Sequence, residues 1–75
     1  MNRYEYTVLF ESAPEGGLNV IVPAIPEICT FGETLEEARE AAVNAVRCFL
    51  ESAQQTGEMI PEDVMPAGER VAVTL

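Results

Sequence analysis

Gly17-Leu-Asn-Val-Ile-Val-Pro-Ala-Ile-Pro-Glu-Ile-Cys-Thr-Phe-Gly-Glu-Thr-Leu-Glu-Glu-Ala38 holds a hairpin exit, a two-proline corner, a short strand and a helix start in one run. Leu18, Val20 and Val22 alternate with Asn19 and Ile21, the period of a strand over Leu18–Val22. Pro23 and Pro26 bracket Ala24-Ile25. Proline has no amide to give to a ladder, so pairing must end or shift at each, and the segment reads as a corner. Glu27 to Phe31 then predicts a third strand, with Ile28 and Thr30 on one face and Cys29 and Phe31 on the other, ended by Gly32.

Thr34-Leu-Glu-Glu37 is the sharpest local signal. It fits a capping box, in which the Thr34 hydroxyl accepts from the Glu37 amide and the Glu37 carboxylate reaches back to the Thr34 amide. Glu36 and Glu37 also bring negative charge to the first turn, where the helix dipole favours it. The helix is predicted from Leu35 to about Gln55. At about 100° per residue, Leu35, Ala38, Ala42, Ala45, Val46, Phe49, Leu50 and Ala53 share one broad face. Glu36, Glu40, Arg47, Glu51 and Gln54 mark the wet side. Gly57 is the natural stop.

Upstream, Tyr4 to Glu11 reads as a first strand. Tyr4, Tyr6, Val8 and Phe10 form its core face, and Glu5, Thr7, Leu9 and Glu11 the other. Ser12-Ala-Pro-Glu-Gly-Gly17 is the turn of an antiparallel hairpin. Downstream, Glu58 to Arg70 is a returning loop whose Met59, Ile60, Val64 and Met65 suggest that it packs down. Val71-Ala-Val-Thr-Leu75 reads as a last strand. The fold class is α+β, in the order βββαβ, with one helix packed on one sheet face. The crossover through the helix predicts a last strand parallel to an earlier one. One helix covers one face only, so the reverse face, with Leu9 and Ile21, needs a second cover.

Seventy-five residues make one domain, here 1–75, and 48% apolar composition suits a globular chain. A core this small is often completed by a partner subunit, so a homo-oligomer, dimer or tetramer, is expected. Four basic residues against thirteen acidic ones give a net charge of −9 and a pI near 4.1. Such a surface repels phosphate backbones, and direct nucleic-acid binding is not expected. The acidity either keeps a small protein soluble or attracts a basic one. Cys29 and Cys48 lack metal-ligand spacing and read as free thiols, buried or half-buried, with Cys48 beyond the apolar stripe of the helix and so at least partly exposed. Met1-Asn-Arg-Tyr-Glu-Tyr6 has no basic-then-apolar leader, and no apolar stretch approaches the roughly 20 residues of a membrane span. The expectation is a cytoplasmic protein without membrane association.

No chemistry gathers in the sequence. Histidine is absent, so a serine or cysteine nucleophile has no imidazole base. The only aspartate, Asp63, falls in the late loop, and the glutamates on strands do not converge as a two-metal site requires. Gly16-Gly17 lies between strands and not before a helix, unlike a phosphate cradle. Tyr4 and Tyr6 read as core tyrosines with satisfied hydroxyls and not as base-stacking platforms. Catalytic, cofactor and metal sites are therefore read as none, and the chain as no enzyme.

Tyr6-Thr-Val-Leu-Phe-Glu11, Gly16-Gly17-Leu-Asn-Val-Ile-Val-Pro23, Ile25-Pro26 and Thr30-Phe-Gly-Glu-Thr-Leu-Glu-Glu-Ala38, followed by Ala45, Leu50 and Gly57…Ile60-Pro61, together resemble the HicB-like antitoxin family, with its short UPF0150-like members. The resemblance implies a partial ribonuclease-H-like sheet, with Val71–Leu75 beside Tyr4–Glu11. It implies an antitoxin that binds and occludes a small basic RNA-cleaving toxin. Two features depart from the family pattern. Glu27 stands where the family usually has glycine. The sequence also ends at Leu75, where many members continue into a DNA-binding module, so operator binding is not carried over. The contact surface expected for a toxin is Glu36, Glu40 and Glu51; the expected oligomer face is Leu9 and Ile21. The competing reading is an orphan homo-oligomeric structural or regulatory domain of the same fold, with no toxin partner.

Overall fold

A computed structural model describes residues 3–75, and the part of the leader reading that rests on Met1 and Asn2 lies outside the described residues. Three strands, β1 (Leu9–Ser12), β2 (Leu18–Ile21) and β3 (Thr30–Gly32), precede one helix, α1 (Leu35–Thr56). The strands form an antiparallel sheet in the order β1-β2-β3. The class is α+β, as expected.

The hairpin closes where the Ala13 amide donates to the Gly17 carbonyl and the Gly16 amide to the Ala13 carbonyl, both at 3.0 Å. Gly17 has φ +80°, and a side chain there would strike the Phe31 ring. From this turn the register runs Ser12 opposite Leu18 to Leu9 opposite Ile21. Continued two residues further, it sets Thr7 opposite Pro23, which has no amide to donate. The ladder stops there. This is why β1 begins at Leu9 and not at Tyr4.

The corner is two consecutive turns. The Ile25 amide donates to the Val22 carbonyl at 2.9 Å, and the Ile28 amide to the Ile25 carbonyl at 3.1 Å. Pro23 and Pro26 each take the second place of a turn, where a fixed φ near −65° is wanted. Among the described residues no non-glycine residue has positive φ. Glu27 thus sits in a turn that needs no glycine. The second turn holds the chain through Ile28, so β3 starts at Thr30 and not at Glu27. Between the prolines, Ile25 plunges inward to 1% exposure.

Thr34 caps α1, its hydroxyl accepting from the Glu37 amide at 3.1 Å. The return bond from the Glu37 carboxylate is not among the hydrogen bonds of the described residues; an exposed carboxylate gains little by leaving water. Gly57, with φ +74°, closes the helix, and its amide and that of Glu58 both return to the Ala53 carbonyl. Gly32 lets the helix approach, since a side chain there would collide with the backbone of Glu37 and Ala38. Ala38 is accordingly 0% exposed, packed with Val20, Val22, Ile25 and Ala42. Leu35 comes before this contact and is exposed, although its angle matches the buried stripe.

The last expected strand is not formed. Residues 71–75 pair with nothing among the described residues, and Val71 and Val73 are 76% and 77% exposed. The loop before them does pack down at first. The Tyr6 hydroxyl donates to the Pro61 carbonyl at 2.5 Å. Asp63 accepts from the Thr7 amide at 2.7 Å and from the Thr7 hydroxyl at 2.8 Å. From Glu62 onward every residue is exposed, Val64 and Met65 included. The tail stretches the molecule to a radius of gyration of 14.8 Å, against about 11 Å for a compact chain of this length. The outer edge of β1, the expected place of a parallel fourth strand, therefore has no strand beside it among the described residues.

Candidate functional site

Three surfaces compete for a role. The first is the wet side of α1. Glu36, Glu40 and Glu51 are all exposed and fall within about 60° of one another around the helix. They form a stripe roughly 22 Å long by the helical rise. Arg47 stands within the same stripe, between Glu40 and Glu51, so the acidic field is strongest at the amino-terminal half. The second surface is the reverse face of the sheet. Leu9 and Ile21 lie directly opposite each other in the ladder and are both exposed. Phe31, opposite Asn19 on β3, is also exposed, with its ring beside Gly17.

The third surface is a groove of about 840 Å³ between the first strand region and α1. Its floor is apolar, built from Tyr6, Val8, Phe10, Val46 and Leu50, with Val43 at its lip. Arg3, Arg39 and Arg47 rim it, three of the four basic residues of the chain. Glu51 stands on the far rim. Sequence reasoning placed Arg47 on a solvated face and passed over Arg39 and Val43. The signal was present: Arg39, Val43, Leu50 and Gln54 continue around the helix from the buried stripe, so they flank whatever covers its edge.

Two polar groups join the tail to this region. Burial raises the pKa of Tyr6 above its ordinary value, with Tyr4 and Asp63 adding to the rise. The hydrogen bonds from the Thr7 amide and hydroxyl hold the Asp63 carboxyl below its ordinary value. Tyr6 is a half-buried tyrosine with a satisfied hydroxyl, as expected, whereas Tyr4 is exposed. Both cysteines are free thiols and both are exposed, contrary to the expectation for Cys29 and in keeping with the position of Cys48 beyond the apolar stripe. Cys29 follows the corner on the outer side of the sheet; Cys48 lies beyond the packed stripe of α1. Among the described residues no three Cys, Asp or Glu side chains gather where they could hold a metal ion. No described helix is long and apolar enough to cross a membrane.

No family model matches the chain. Curated relatives do. It is 43% identical over 56 residues to Antitoxin HicB of Escherichia coli K12, a match covering 75% of this chain and 41% of the relative. It is 43% identical over 61 residues to Antitoxin HicB 1 of Photorhabdus laumondii, covering 81% and 39%. It is 37% identical over 59 residues to a UPF0150 protein of Thermoplasma acidophilum, covering 79% and 86%. The chain thus spans about two fifths of the length of the HicB antitoxins it matches, and most of the UPF0150 protein.

Proposed function

We propose, from the premise that this chain belongs to the HicB-like antitoxin family, that it acts as an antitoxin, a non-enzymatic module that binds and occludes a small basic RNA-cleaving toxin in the cytoplasm. The identity of 43% with Antitoxin HicB carries this reading. The charge of −9 supports a basic partner, because opposite fields speed encounter and orient docking. We read the sheet and helix as a partial ribonuclease-H-like scaffold put to binding. Glu36, Glu40 and Glu51 form the contact surface, an exposed anionic stripe facing the cationic surface with which such a toxin would hold RNA. The neutralising act is then steric and electrostatic: the stripe occupies the place of the RNA backbone.

Co-expression with any small basic protein encoded next to this chain tests the reading. The expected result is rescue of growth and co-purification of the pair at low salt, weakened by Glu36→Lys with Glu40→Lys. A neighbouring protein that is neither toxic nor bound would remove it. The competing reading, a homo-oligomeric domain without a toxin, is favoured by the exposed pair Leu9 and Ile21. We assign that pair to contact between copies. Leu9→Glu with Ile21→Lys would then lower the mass seen by sedimentation; an unchanged mass would free the face of that role.

A further inference from the structure

We infer that the groove between the first strand region and α1 binds a free single-chain carboxylate, a fatty acid, with its head held by Arg39 and Arg47 and its alkyl chain laid along the floor. This ligand site is independent of the antitoxin reading. The distribution of charge points to it. The chain has four basic residues and thirteen acidic ones. Three of the four, Arg3, Arg39 and Arg47, line this groove, and of the acids only Glu51 joins them. Three cations against one anion leave a local balance of +2 in a chain of −9. Beneath that rim lies an apolar floor, with Tyr6, Val8 and Phe10 on the strand side and Val46 and Leu50 on the helix side.

The helix sets the head site. Arg39, Val43 and Arg47 follow at intervals of four residues, so they form one row on α1 with Val43 midway. The two arginines stand about 12 Å apart along the axis, close enough for both side chains to lean over Val43 and meet one carboxylate. Neither is otherwise engaged. The one ion pair among the described residues joins Arg3 to Glu5 at 3.4 Å. Glu51 lies four residues after Arg47 and Glu36 three before Arg39, yet neither pair closes. From Val43 to Gln54, the far end of the lining, the groove runs about 16 Å. One acyl chain spans half of a bilayer's hydrocarbon core, about 15 Å. The two lengths match, and 840 Å³ falls within the range of small-molecule sites.

The overall field selects a ligand with a single charge. A chain of −9 repels anions in proportion to their charge, so a nucleic acid or an acidic protein is driven off before two arginines can act. A monoanion feels least of this, and it gains the arginines at short range, where salt screens little. A basic partner meets the wrong sign at the rim. An anionic membrane would face the acidic surface around the groove as well, and a bilayer plane does not reach a concave floor. A carboxylate on one alkyl chain suits both sets of residues. Its oxygens accept from the guanidinium groups, and its methylenes leave water against the floor.

Titration of the full chain with decanoate, below its micelle concentration, is the test. Tyr4 and Tyr6 are the only tyrosines, both line the groove, and the chain has no tryptophan, so intrinsic fluorescence reports on this site. The expected result is saturable one-to-one binding, with NMR amide shifts at Val43, Val46 and Phe10 and none at Leu9 or Ile21. From octanoate through decanoate to dodecanoate, affinity should rise about two- to fourfold per added methylene. Decanol, which lacks the charge, should bind about tenfold more weakly than decanoate. Arg39→Gln with Arg47→Gln should cost about the same factor; both positions are exposed, so the helical circular dichroism should persist. Val43→Glu should abolish binding by setting a carboxylate where the head would lie. No saturable binding, equal binding of decanol, an unaffected double glutamine variant, or shifts on another surface each overturns the inference. Flotation of the chain with phosphatidylglycerol vesicles overturns it too, by assigning the groove to a membrane. The toxin reading is judged by growth and co-purification, so the two fail separately.

Discussion

The interface between sheet and helix has two halves, and they differ. On one side, Val20, Val22, Ile25, Ala38 and Ala42 are fully packed around Gly32. On the other, Tyr6, Val8, Phe10, Val46 and Phe49 are only half-buried, and a groove remains between β1 and α1. The closed half is built from residues 18 to 42, close in sequence and tied by two turns and a cap. The open half would need a segment from the far end of the chain, which leaves the body after Asp63. A chain this small can finish one half of its core locally. The remainder presents apolar surface to whatever copy or partner arrives.

If that contrast is right, truncation should hurt the two halves unequally. Ile25→Ala removes the deepest side chain of the closed half and should cost about 3 kcal/mol in urea unfolding. Val46→Ala, on the open half, should cost about 1 kcal/mol under the same conditions; equal losses would erase the distinction. Gly32→Ala sharpens it, because the new methyl meets the backbone of Glu37 and Ala38. Roughly 2 kcal/mol should be lost through overpacking, read as a lower thermal midpoint with helix content retained. An unshifted midpoint would show that the helix does not press on β3.

Thr34→Ala removes the hydrogen bond to the Glu37 amide and should cost about 1 kcal/mol. Thr34→Asp should restore most of it, since aspartate caps as well. The smallest effect belongs to the tail. The folded pKa of Asp63 is depressed, so its bond to Thr7 contributes fully above the ordinary carboxylate value of 3.8 and is lost as pH falls through the lower folded value. The Thr7 amide resonance should therefore titrate with a midpoint below 3.8 while the resonances of Val20 and Ala38 stay put. A midpoint at or above the ordinary value would mean that the bond does not hold the tail in solution.

Legibility followed the range of the interactions. The helix was readable to within one residue at its far end, because its cap, its apolar period and its stop at Gly57 are all local. The hairpin turn was readable from Gly16-Gly17 for the same reason. Strand lengths were not. β1 is cut short by Pro23 across the ladder, and only the register brings that proline opposite Thr7. β3 is delayed by a second turn that a list of alternating side chains does not reveal. Leu35 has the right angle for burial but precedes the point where the sheet meets the helix.

The candidate surfaces divide in the same way. Glu36, Glu40 and Glu51 as one wet stripe, and Leu9 with Ile21 on the reverse face, follow from periods of 3.6 and 2 alone. The groove does not, because its floor comes from one strand region and its rim from one helix, brought together only by packing. Residue order alone determined the α+β class, the capped helix, the proline corner and the family, since each is written in spacing along the backbone. Tertiary structure decided where the ladders stop, that Asp63 pins the tail at Thr7, and that Val71–Leu75 finds no partner among the described residues. Those outcomes depend on register and reach between distant segments, and a one-dimensional pattern carries neither.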